Sequence, residues 1–169
     1  LLSQIPHRFV DERYSNVLPS LPAIVLDHQS GNPETILSHY HQLSSSKSYI
    51  PLRPGEGIIT VSQLLPVELE TNTYRQFTYP HTLANGVSIL GYSTYTTENS
   101  LDWEIHWTTG ERTNTIYHFF NHLYNDDGEK IAQSDAPSFP AHQWKEGDRV
   151  ISYFTNNFDN QVKQLKVGM

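Results

Sequence analysis

Apolar and polar residues change places every second position through most of the chain beyond residue 56. In SLDWEIHWTT (100–109), Leu101, Trp103, Ile105 and Trp107 fall on one side, and Asp102, Glu104, His106 and Thr108 on the other. A period of two is what a half-buried strand imposes. Further strand-like stretches are GIITVSQLL (57–65), TYRQFTY (73–79), NGVSILGY (85–92), TIYHFFNHLYN (115–125), EKIAQSD (129–135), DRVISYFTN (148–156) and QVKQLKVGM (161–169). Asp126-Asp127-Gly128 supplies a hairpin turn between TIYHFFNHLYN and EKIAQSD. Strands recurring at about ten-residue spacing, with no helical period between them, predict a mostly β fold: an antiparallel β-sandwich, jelly-roll-like. No internal repeat is apparent.

Residues 1–55 read differently. PAIVLD (22–27) predicts a short buried strand. Asn32, Pro33 and Glu34 follow in the order of an N-cap, a first helical position and a first-turn acid, which predicts a helix start. SSSKS and PLRPGEG are linker-like, with Pro and Gly as breakers. The expected organisation is therefore a small α/β N-terminal extension (1–55) followed by the sandwich (56–169).

Composition narrows the function. The chain has 169 residues, 37% hydrophobic and 12% aromatic, with ten Tyr and seven Phe, a bias that suits strands. Eleven basic against eighteen acidic residues give a net charge of −7 with no basic run. Nucleic acid and anionic membranes, which are held by basic patches, are not expected as partners. With no cysteine, disulfides, thiol catalysis and Cys-ligated zinc are excluded. No stretch reaches the roughly 18 apolar residues of a membrane span, and no signal peptide is visible. The chain opens without Met and stops partway through a strand pattern, so it is expected to be a piece of a longer polypeptide. Any membrane association would then run through the parent chain.

Several residue sets invite a chemical reading. Asn125-Asp126-Asp127-Gly128-Glu129 offers oxygens to calcium, but it lacks the alternating acids of an EF-hand loop, and Asp and Gly are also what a tight turn selects. His118 and His122, four apart on a strand, share a face. Were the Trp103–Trp107 strand to pair beside them, Glu104 and His106 would join, and three His with a Glu suit zinc or another divalent metal. The alternative function is then a jelly-roll metalloenzyme with Glu104 as base or ligand. His39-Tyr40-His41 resembles the His-x-His of cupin metal sites, yet the Glu and Gly that a cupin sets downstream are missing. No nucleophile elbow and no phosphate loop occurs, and Glu98, Asp102 and Glu104 are acids of the kind solvated strands carry. No catalytic set stands out. Exposed aromatics can stack on sugar rings, and Trp144, Tyr92 and Tyr95 are the expected carbohydrate contacts; for Trp144 the competing expectation is a plug at one end of the sandwich, because Pro137, Phe139 and Pro140 precede it. A third class is a pure interaction module that pairs through an open strand edge at Met169.

From about Leu83 to Met169 the chain resembles the extracytoplasmic domain of bacterial membrane glycosyltransferases of the dolichyl-phosphate-mannose type, a domain shared with related uncharacterised membrane proteins. The resemblance rests on NGVSILGY, LDWEIHW, YHFFNHLYNDDGEKIAQSDAPSFP, HQWKEGDRVISYF and the terminal LKVGM. It implies a non-catalytic β-sandwich outside the membrane, either structural or in contact with a glycan, with catalysis left to transmembrane parts of the parent. It implies no cofactor, and it does not extend to the first 80 residues. This chain departs from the family pattern at His106, where an apolar residue or Tyr is usual.

Overall fold

A computed structural model describes residues 8, 15–29, 43–51, 58–64, 74–96, 100–110, 118–137, 139–140, 143–157 and 162–169. In chain order the strands are β1 (Ser15–Leu18), β2 (Ala23–Gln29), β3 (Leu43–Pro51) and β4 (Ile58–Leu64). Next come β5 (Arg75–Thr82), β6 (Val87–Thr96), β7 (Ser100–Thr109) and β8 (His118–Tyr124). The last four are β9 (Lys130–Gln133), β10 (Ala136–Pro137), β11 (Arg149–Asn157) and β12 (Gln164–Gly168). The fold is mostly β, as expected. It divides into two compact units, one of residues 18–70 and one of residues 1–17 with 71–169.

The smaller unit contains a three-stranded antiparallel sheet ordered β2-β4-β3. The strand expected over 57–65 forms, but as the centre of this sheet rather than as part of the sandwich. Its run Ile58, Ile59, Thr60, Val61 is β-branched throughout and so suits a strand flanked on both edges. The helix start expected at Asn32-Pro33-Glu34 lies outside the described residues.

The larger unit is the sandwich. One sheet is ordered β1-β11-β7-β6-β5; the other is ordered β10-β8-β12, with β9 also on β8. The alternation read from β7 is borne out: Trp103, Ile105 and Trp107 are buried in the core with Val150 and Phe154 of β11, Val87 of β6, and Phe119 of β8. Trp107 stacks on Phe119 at 5.0 Å between ring centroids, which joins the two sheets, and its Nε1 donates to Ser152 Oγ at 2.9 Å. Leu165 and Val167 of β12 pack against the same cluster. Large buried aromatics carry most of the apolar area in such a core.

The hairpin between β8 and β9 turns where the sequence predicts. Gly128 N donates to Asn125 O at 3.1 Å, and Asn125 N to Glu129 O at 3.0 Å. Gly128 has φ 76°, the left-handed conformation that closes a type I turn with a bulge. The Asn125 side chain also accepts from Glu129 N at 2.9 Å and donates to Glu129 Oε2 at 3.2 Å. Two of the polar side chains weighed for calcium are thus spent on the turn itself.

Candidate functional site

The register of the large sheet sorts its side chains. His106 lies opposite Ile151 on β11 and Gly91 on β6; Glu104 lies opposite Tyr153 and Ser93; Asp102 lies opposite Thr155 and Tyr95. Cross-strand partners share a face, so these residues form the side turned away from the core.

The His106 end of this face is closed. Its imidazole is fully buried and stacks on Tyr74, with centroids 4.2 Å apart and planes 15° apart. Gly91 makes room for that ring: a Cβ there would lie 2.8 Å from Tyr74 Cδ2 and 2.2 Å from the Arg75 carbonyl oxygen. The Arg149 guanidinium sits 5.4 Å from the Tyr74 centroid. Burial, and after it the positive charge of Arg149, lowers the His106 pKa to about 3. At neutral pH the imidazole is uncharged, so its 4.0 Å approach to Glu104 Oε2 is a contact with a neutral ring and not an ion pair.

The other end of the face is open. Tyr95 is 55% exposed, beside Asp102 across the strands. Partial burial, and then the nearby Glu104 carboxylate, raises its phenol pKa above the ordinary value. Ser100 Oγ donates to Asp102 Oδ2 at 3.5 Å. Asn16 Nδ2 donates to the Tyr153 hydroxyl at 3.1 Å. An accessible phenol ring beside the Asp102 carboxylate and within electrostatic range of Glu104 can lie against the C–H face of a sugar while the carboxylates accept from its hydroxyls.

Of the three aromatics expected to contact carbohydrate, Tyr95 alone is exposed. Trp144 is a plug: it is buried, its Nε1 donates to the Phe139 carbonyl at 2.6 Å, and it packs in the core cluster. Tyr92 pairs with Ile105, on the opposite face from Tyr95, and is half-buried with Phe77 5.8 Å away.

The metal set does not assemble. The strand β7 pairs with β6 and β11, whereas β8 belongs to the other sheet. On β8, Phe119, Asn121 and Leu123 are buried, while His118 is exposed and His122 half-buried. His118 and His122 do share a face, as read from the sequence, but it is the outer face of the second sheet. His106 and Glu104 stand on the outer face of the first, with the core between. His122 Nε2 instead lies 3.6 Å from Asp135 Oδ1. Among the described residues, no group of three or more His, Cys, Asp or Glu is arranged to hold a metal ion. His39 and His41 lie outside the described residues.

Sequence reasoning missed Tyr74, Arg149 and the Arg8–Asp148 pair. Asp148 is buried, accepts from Lys145 N at 3.0 Å, and forms an ion pair with Arg8. Nothing local marks a contact between residues 140 apart. Gly91 did carry a signal, since an isolated glycine in a strand pattern marks a bulge or a close approach; the β6–β7 register shifts between Ile89 and Gly91. No known protein family, curated protein or solved structure matches this chain.

Proposed function

We propose that the sandwich is a non-catalytic glycan-contacting module, using the open end of the large sheet's outer face. Tyr95 stacks on a sugar ring, and Asp102 and Glu104 accept from its hydroxyls. The observation that carries this reading is the exposed Tyr95 ring beside Asp102 and within electrostatic range of Glu104. In the setting that the resemblance of residues 83–169 implies, the module lies outside the membrane and holds an acceptor glycan near a glycosyltransferase active site in the parent chain.

The test is binding of the purified chain to immobilised oligosaccharides, compared with Tyr95→Ala. The reading expects a marked loss of retention with an unchanged melting temperature. Equal retention by both proteins would remove Tyr95 from the function. Transmembrane segments in the parent reading frame would support the setting, and a complete soluble frame would undercut it.

A further inference from the structure

The outer face of the second sheet carries a row of rings. On β8, His118, Phe120, His122 and Tyr124 alternate with Phe119, Asn121 and Leu123, which are buried in the core. His118 is exposed and the other three rings are half-buried. Two strand residues advance about 6.6 Å, so the row runs for roughly 20 Å along the sheet.

The row is braced from its neighbours. Phe120 leans over its register partner Gly168 on β12, where a Cβ would lie 2.6 Å from two of the ring carbons. The His122 ring is 5.0 Å from that of Phe120 between centroids, and its Nε2 lies 3.6 Å from Asp135 Oδ1. Asp135 in turn accepts from Gln133 Nε2 at 3.3 Å.

Charge on this face runs against that of the chain. The whole sequence has a net charge of −7. Yet the outward positions of β8, β9 and β12 hold Lys130, Lys166, His118 and His122, and no Asp or Glu. The two lysines bracket Tyr124: Lys130 is its register partner on β9, and Lys166 Nζ lies 4.3 Å from its ring centroid. Lys130 also donates to Gln133 Oε1, and an ammonium group has three hydrogens to give. The nearby acids are otherwise placed, with Asp135 beside His122, and Asp126, Asp127 and Glu129 in the turn beyond Tyr124.

A partner that fits such a face offers ring surfaces and sparse negative charge. Single-stranded nucleic acid offers rings, but it carries a charge on every unit and is held by grooves dense in basic residues. Two lysines on an acidic chain do not supply one. A glycan with carboxylates on its sugars matches both features. We propose that the outer face of the second sheet binds a glycan chain bearing uronic-acid carboxylates. Phe120 and His122 lie against sugar rings, and Lys130 and Lys166 pair with carboxylates at the Tyr124 end. This surface and the Tyr95 surface are on different sheets, with the core between them.

Isothermal titration calorimetry on the whole chain tests it. Galacturonate and mannuronate oligomers are the probes, and neutral galactose and mannose oligomers are the controls. The expected result is saturable binding of at least one uronate oligomer. Its neutral counterpart should bind about tenfold more weakly, the scale of one lost charge-assisted contact. Combining Lys130→Ala with Lys166→Ala should weaken uronate binding by a similar factor, and Phe120→Ala should weaken it too. Tyr95→Ala should leave it unchanged, so failure here and failure of the Tyr95 surface are told apart. No saturable binding of either uronate overturns the proposal. So does equal binding of the neutral counterpart, or a double lysine variant that binds like the parent chain. Oligothymidylate bound as tightly as the uronate also overturns it, because the face then selects phosphate chains. Both lysines are exposed, so the double variant is expected to keep the parent melting temperature. Should Phe120→Ala not fold, Phe120→Leu takes its place.

Discussion

Tyr74 stacks on His106 because the residue across the strand from His106 is Gly91. A side chain at that point would occupy the space of the phenol ring and collide with the Arg75 carbonyl. The closed end of the outer face therefore depends on a hydrogen atom in place of a methyl group.

Gly91→Ala is expected to destabilise the sandwich by about 1–3 kcal/mol, the usual range for overpacking, since one of the contacts is to backbone that does not rotate away. Urea unfolding measures it. A change below about 0.5 kcal/mol, the scale of a neutral surface substitution, would show that the Tyr74 ring has room to move.

Acid should weaken the fold through His106. Its pKa falls from 6.5 in the free side chain to about 3 in the folded chain, so the unfolded state binds the proton first. The stability held by the neutral imidazole is complete above pH 6.5. As pH falls from 6.5 toward 3 it is lost at about 1.4 kcal/mol per pH unit. Denaturation midpoints followed across that window should slope less in His106→Gln than in the parent chain. Parallel slopes would mean that other groups carry the acid sensitivity.

Trp144→Ala and Tyr95→Ala should behave as opposites. Truncating the buried indole is expected to cost about 3–5 kcal/mol. Truncating the exposed phenol should stay within about 0.5 kcal/mol. Thermal melts of the two variants side by side are sufficient to check this.

At the β8–β9 hairpin, Gly128→Ala places a methyl group on a residue with φ 76°, at a cost of about 1–2 kcal/mol. The space around that position is open, so the loss is one of backbone conformation alone. Gly128→Asn should recover part of it, and melting temperatures in the order Gly, Asn, Ala are the expected readout.

What was legible in the sequence was what is local. The two faces of β7, the Asp-Gly hairpin and the shared face of His118 and His122 all follow from spacing, and each is present in the structure. The partner of a strand is not local: nothing in SLDWEIHWTT says that β6 and β11 flank it rather than β8, and the metal cluster depended on that choice. The same holds for β4, whose alternation fits either sheet. The opposed directions of Tyr92 and Tyr95 were legible, because two positions three apart on a strand face opposite ways. Tyr74 over His106 needed the register of three strands at once, and no single stretch encodes it.

The larger unit is interrupted in sequence: β1 and Arg8 precede residues 18–70, and everything else follows them. The sandwich is in this sense a host, with the three-stranded sheet as its guest. Trimming the chain to 56–169 would discard a rim strand and strand the Asp148 carboxylate in the interior without its counter-charge, a kind of loss worth about 3–5 kcal/mol. Excising the guest from residue 19 onward and rejoining the flanks is the cut that keeps β1, which ends at Leu18, with the other strands of the host.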